Sequence, residues 1–224
     1  MTLGNLLIGS IVTDKKTKFN GKPIEWLVAD HNYGENRTIL LSKDILCCRP
    51  FDDSKEFYVD VYRREYGSNR WRDSDIREWL ETEFFCKSFS SRLAGLTIPV
   101  LNTTEIPMCD RDHRNEYMVD NTEDNVFLLS DAEIGSEGDS KAIELFRGNN
   151  KEMYRTAEAC PGLTWYWWLR SPFAGYSYST RVVYSDGSLY NHNAYYGYIG
   201  VRPACAIFSS APVKKRKSGG YKFD

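Results

Sequence analysis

The chain has 224 residues, enough for one sizeable domain with a proper core or for two small ones. A formal net charge of −2 excludes a chain-wide bias toward nucleic acid or anionic membrane, and no apolar run approaches the roughly 18 residues of a membrane span. Six irregularly spaced cysteines (47, 48, 86, 109, 160 and 205) do not read as a disulfide scaffold. Reduced thiols in a cytoplasmic or phage-associated product fit them better, with one or two bridges after export as the alternative.

The N-terminal MTLGNLLIGSIVTDKK lacks a basic n-region and a small-residue cleavage site, so it reads as a first strand rather than a signal peptide. Residues 8–46 read as strand-rich, with turns at Asn20-Gly21 and Tyr33-Gly34 and with Trp26 in the core. The run Thr38–Leu46 predicts a buried strand, and Val126–Ile134 echoes it; each strand ends at a Ser-Lys-Asp or Ser-Asp cap. Residues 47–72 are polar and aromatic and predict a long excursion.

The clearest helix covers Asp73–Phe85, where Ile76, Trp79, Leu80 and Phe84 share one face and Asp75 with Glu78 resembles a capping box. A shorter helix follows from about Ser90 to Leu96, closed by Pro99. Residues 101–125 and 135–160 read as polar connections, the second with a modest helix around Ser140–Phe146. The last section holds a tryptophan cluster (164–172), a tyrosine-rich stretch (173–198) and the strand VRPACAIF. Ser185-Asp186-Gly187-Ser188 predicts a type I′ hairpin turn between strands 181–184 and 188–190. Residues 211–224, with Lys214 to Lys217, read as a basic flexible tail.

No nucleophile elbow, phosphate loop or dinucleotide fingerprint occurs, and the three histidines form no catalytic spacing. The expectation is a protein that is not an enzyme and needs no cofactor. Cys109 and His113 offer two ligands four residues apart without a second pair, and Asp120-x-Thr-x-Asp124 lacks the glycine and terminal glutamate of a calcium loop. No metal site is therefore expected. Trp165, Trp167 and Trp168 fit a sugar-stacking platform or a core strand, and core is favoured for most of them. Arg170 and Arg202 read as structural, bonding loop carbonyls or a carboxylate.

The tyrosines differ. They alternate with Ser, Gly, Asn and His and cannot all be core. Such a mixture suits recognition, because tyrosine gives broad amphipathic contact at little side-chain entropy and the small polar residues adapt.

The succession IEWLVAD, ILLSKDIL, WRDSDIREWLETEFF, VFLLSDAEI, WWLRSP and GVRPA, spanning about residues 5–208, resembles a family of bacterial and phage domains of otherwise unknown function. Many of these look like the variable proteins of diversity-generating retroelements. The resemblance implies an α+β architecture of C-type lectin-like fold: one domain over 1–210, with a mixed, mainly antiparallel sheet, two flanking helices and long loops. It implies that a ligand, expected to be a protein or other macromolecule and not a specific nucleic acid, meets the segment 173–198. The diversified, ligand-binding positions implied are Phe173, Tyr176, Tyr178, Tyr184, Tyr190, His192, Tyr195, Tyr196 and Tyr198. Ser185–Ser188 and Val201–Ala204 would be framework. The Glu-Pro-Asn and Trp-Asn-Asp motifs of calcium-dependent lectins are absent. The alternatives are a formylglycine-generating type of oxidoreductase using Cys160 and Cys205, and a carbohydrate-binding module.

Overall fold

Apolar strands from the two ends of the chain meet in one sheet. The computed structural model describes residues 1–107, 117–148 and 151–224. Its strands are β1 (Ile11–Phe19), β2 (Lys22–Asp30), β3 (Arg37–Ser42), β4 (Cys47–Cys48), β5 (Val100–Pro107), β6 (Tyr117–Asp124), β7 (Val126–Phe127) and β8 (Glu158–Cys160). They continue with β9 (Leu163–Thr164), β10 (Trp167–Pro172), β11 (Ser179–Val183), β12 (Leu189–Asn193), β13 (Gly200–Val201), β14 (Ala204–Phe208), β15 (Val213–Lys215) and β16 (Tyr221–Phe223). A seven-stranded sheet runs β15-β16-β1-β2-β3-β14-β7, antiparallel except where β1 meets β16. A five-stranded sheet runs β12-β11-β10-β13-β4 and holds one parallel pair, β10 with β13. The protein is thus a mixed α+β structure, mostly sheet, with few and short helices.

The two echoing runs have a common partner. β3 and β7 lie on either side of β14, with Ala204 opposite Leu41 and Phe127, and Cys205 opposite Leu40 and Val126. All six residues are fully buried. A strand buried on both faces reads as a continuous apolar run rather than an alternation, which is why both stretches look alike in sequence.

The expected helix forms as α2 (Asp75–Trp79), continuing through a π-helical segment, Leu80–Phe85, into α3 (Cys86–Ser88). Ile76, Trp79, Leu80 and Phe84 are buried, as their spacing requires. Its cap is Ser74, whose hydroxyl accepts from the Arg77 amide at 3.3 Å. Asp75 is not the cap. It accepts instead from the Asp53 amide at 2.9 Å and from Lys55, tying down the loop ahead of α1 (Val61–Tyr66). The second helix is a single turn, α4 (Ser91–Ala94), capped by Ser90.

Three sequence expectations are corrected. Residues 101–125 are not a polar connection throughout: β5 and β6 pair in register from Val100 with Asp124 to Pro107 with Tyr117. The inward face of this hairpin is polar. Asp124 accepts from Trp71 Nε1 at 3.0 Å, Asn102 Nδ2 at 2.8 Å, Thr122 Oγ1 at 2.7 Å and Arg77 Nε at 2.6 Å, while Asp120 takes a two-pronged contact from Arg70. The carboxylates at 120 and 124 are thereby committed to this structure. The modest helix near 140–146 is only a 3-10 turn, Glu144–Phe146, and the helical turn lies later, in α5 (Lys151–Arg155). Residues 211–224 are not a free tail, because β15 and β16 form a hairpin docked on β1. Among the described residues no helix is long and apolar enough to cross a membrane.

Candidate functional site

The tryptophan cluster supplies the floor of the site. Trp167 and Trp168 in β10 are fully buried and satisfy their indole N–H groups on the carbonyls of Arg155 and Arg49, both at 2.8 Å. Trp165 is half-buried and donates to the Tyr198 carbonyl at 2.8 Å. Burial of a large indole with a satisfied N–H is the ordinary core solution.

The arginines clamp both ends of the tyrosine-rich segment. Arg170 is buried against Glu133 (2.5 and 2.9 Å) and the Leu128 carbonyl (2.9 Å). Burial raises the Glu133 pKa, but Arg170 and hydrogen bonds from Tyr33 and the Ser130 amide outweigh it and hold the carboxyl below its ordinary value. Arg202, with no carboxylate in hydrogen-bond range among the described residues, donates to the carbonyls of Ser42, Tyr154 and Lys43 and sits 5.0 Å from the Trp167 ring centre. These two side chains fasten the ends of β3 and of the Val126–Ile134 run to the strands flanking the segment.

Between the clamps the backbone is tied down at several points. The buried Asn69 amide donates to the carbonyls of Tyr176 (2.9 Å), Ser179 (3.1 Å) and Phe173 (3.4 Å), and its own N–H to Ser177 (2.8 Å). The Ala194 carbonyl accepts from Phe51 and Asp52, and the Tyr195 amide donates to Tyr66. This crossing needs Gly67, since a Cβ there would lie 1.9 Å from the Asp52 carbonyl oxygen and its φ is +73°.

The hairpin within the segment pairs Ser179 with Asn193 through to Val183 with Leu189. Its turn differs from the expected type I′. Only Gly187 has positive φ, at +85°, and the Gly187 amide donates to the Tyr184 carbonyl while the Tyr184 amide donates to Ser188. That is a type I turn closed by a left-handed glycine. The three-residue loop fits because Gly187 packs on α5, where a Cβ would meet the Glu152 carbonyl oxygen at 3.3 Å.

All nine expected positions fall in one network of ring contacts. From one end, Phe173 contacts Tyr176 (6.3 Å between centres) and Tyr176 stacks on Tyr178 (5.3 Å). From the other, Tyr184, Tyr190, Tyr196 and Tyr198 surround His192 at 5.6–6.1 Å, and Tyr195 joins through Tyr196 at 4.6 Å. The halves are bridged by α1: Tyr66 lies 5.0 Å from Tyr178 and 6.0 Å from Tyr195, and Tyr62 stacks on Tyr178 at 5.7 Å. Tyr176, Tyr190 and Tyr198 are 54%, 53% and 45% exposed, and the other six are half-buried.

Sequence reasoning missed Tyr62 and Tyr66, as well as Tyr166, which contacts Tyr184 at 4.7 Å. The spacing of Tyr62 and Tyr66, four apart on one helical turn, was the available signal. Burial lowers the His192 pKa and raises those of Tyr184 and Tyr198, so these rings stay uncharged at neutral pH.

Among the described residues, the nine side chains have hydrogen bonds only with one another: Tyr184 with His192, and Tyr195 with Tyr196. The framework holds the segment by its main chain; Tyr176, Tyr190 and Tyr198 lie out on the surface, while Tyr184 and Tyr196 also pack against the core.

Cys160 and Cys205 are free thiols in unlike settings. Cys160 is exposed on β8, whereas Cys205 is fully buried in β14, where burial raises its pKa far above the reactive range. No group of three or more potential metal ligands occurs among the described residues. Cys109 and His113 lie outside them.

A family model described as a domain of unknown function, DUF6273, matches residues 35–209. No curated protein and no solved structure matches the chain.

Proposed function

The chain belongs to the DUF6273 family, and we propose that it serves there as a non-enzymatic binding protein whose aromatic face at residues 173–198 recognises a macromolecular ligand, a protein. In this reading it is a variable protein of a diversity-generating retroelement, with a C-type lectin-like fold. The observation that carries the reading is the division of labour within the segment. Framework contacts run through the main chain, while the nine side chains form one uncharged surface of rings. Such a surface accepts substitution without loss of its support, and an ordered scaffold avoids part of the loop-ordering cost of binding. A standard contact would cover about 800 Å² on this side, with one or two tyrosines as hot spots of about 2 kcal/mol or more.

Replacing the seven tyrosines of the segment with serine tests the scaffold claim. Cooperative melting is expected to persist, and loss of the fold would refute the claim. A near-copy of the codons for 173–198 beside a reverse transcriptase gene, differing at adenines, is the genomic counterpart. Its absence from the gene's own genome would remove the retroelement part.

A further inference from the structure

The basic run near residue 214 is built into the sheet. β15 carries Lys214 and Lys215, the turn after it Arg216 and Lys217, and β16 carries Lys222. β16 lies between β15 and β1, with Val12 opposite Tyr221 and Thr13 opposite Lys222. Further along β1 stand Lys15, Lys16 and Lys18, all exposed. Two cationic runs from opposite ends of the chain thus share one sheet margin, in a protein whose formal net charge is −2.

These strands and the turn between them hold one carboxylate side chain, Asp14, and Asp224 follows β16; both are engaged. Asp14 accepts from Thr17 Oγ1 at 2.7 Å, Ser90 Oγ at 2.5 Å and the Lys16 amide at 3.2 Å. Asp224 pairs with Lys214 at 2.6 Å. Among the described residues, Lys15, Lys16, Lys18, Lys215, Lys217 and Lys222 form no ion pair. Lys214 and Lys222 stand directly opposite each other, a like-charge cross-strand pair that costs stability.

Lysine on an edge strand guards against edge-to-edge pairing. That accounts for Lys214 and Lys215. It does not account for Lys222 on the interior strand β16, nor for Arg216, whose Nη1 reaches across to Thr13 Oγ1 at 3.2 Å. No large apolar side chain on β1, β15 or β16 is exposed, so the margin offers nothing to insert into a bilayer. Unpaired, hydrated ammonium groups strung along one sheet margin suit a phosphodiester chain.

We propose that the β1–β16–β15 margin binds the phosphate backbone of nucleic acid without regard to sequence. The test is fluorescence anisotropy of the full chain with a labelled random DNA duplex, from about 50 to about 200 mM salt. Four phosphate contacts give a slope of log K against log salt of roughly −3.6. The quadruple variant Lys15→Ala, Lys16→Ala, Lys215→Ala, Lys217→Ala changes only exposed side chains and is expected to melt as the parent does. Its affinity at low salt is expected to fall at least about tenfold and its slope to flatten by up to about 3.6. A control, Lys87→Ala with Lys141→Ala, is expected to keep both. Absence of DNA binding at low salt overturns the proposal, as does equal binding by parent and quadruple variant. Binding to phosphatidylserine vesicles without binding to DNA overturns it in favour of a membrane.

Discussion

Replacing Asn69 with alanine should loosen the aromatic face from beneath. The Asn69 side chain is 2% exposed and donates to three main-chain carbonyls of residues 173–179. The bonds to Tyr176 and Ser179, at 2.9 and 3.1 Å, are well formed, and the 3.4 Å contact to Phe173 adds little. Each good bond is worth about 1 kcal/mol net, and a buried acceptor left without a partner adds about another 1 kcal/mol, more where water cannot enter. No carbonyl here reaches that position, because the Ser179 carbonyl also accepts from the Phe173 amide and the Tyr176 carbonyl from the Ser179 amide. The two bonds sum to about 2 kcal/mol, or roughly 4–8 °C in Tm for a domain of this size. Denaturant titration reads the stability. Hydrogen exchange at the Phe173 and Ser179 amides, which close this loop on itself, reads the local effect. Asn69→Asp, which keeps the size but aims a carboxylate at three carbonyls, should be at least as damaging. A loss under about 1 kcal/mol in both variants, with unchanged exchange, would refute the view that the loop is held from its main chain.

Gly67→Ala should give no soluble, cooperatively melting protein, because its Cβ would overlap the Asp52 carbonyl; a variant melting normally would contradict that packing. Converting the most exposed rings, Tyr176, Tyr190 and Tyr198, to serine together should cost less than about 1 kcal/mol per site in urea titrations, and a larger loss would make them core. Glu133→Gln should cost about 3–5 kcal/mol at pH 7, because it leaves the buried Arg170 charge uncompensated. The native Glu133 pKa is depressed, so its contribution is present above the unfolded carboxyl value near 4.3 and fades as pH falls through the native value. The stability gap between parent and Glu133→Gln should therefore narrow on acidification, and a gap independent of pH would exclude an ionised Glu133.

Legibility in the sequence followed the type of contact. Periodicity gave the buried face of α2, since Ile76, Trp79, Leu80 and Phe84 recur at helical spacing. Turn and clamp residues gave Arg170, Arg202 and the position of the 185–188 turn. The β5–β6 hairpin stayed hidden because the face it turns inward is Asn102, Thr104, Asp120 and Thr122, which alternation of apolar and polar residues cannot reveal. Its partners, Arg70, Trp71 and Arg77, lie in other segments, so the bonds that neutralise that polarity exist only in three dimensions. The same holds for Tyr62 and Tyr66, whose place in the aromatic network depends on where α1 lands. The β15–β16 hairpin was masked by its lysines, whose charge resembles that of a solvated end until Val213 and Phe223 are seen to be buried.

The order of β14 along the chain has a consequence for synthesis. This strand joins β3 to β7, yet it emerges only after residues 173–198. A chain that stops or shifts frame within the aromatic segment therefore lacks the strand that closes the main sheet. It would leave the apolar edge of Leu40 and Leu41 open, where a protease or a chaperone can find it. Chains ended at residue 198 should be degraded quickly in pulse proteolysis and chains ended at 210 far less so; equal lifetimes would remove the argument. Placing the aromatic segment upstream of the sheet's closing strand makes completion of the fold a check on an intact reading frame through that segment.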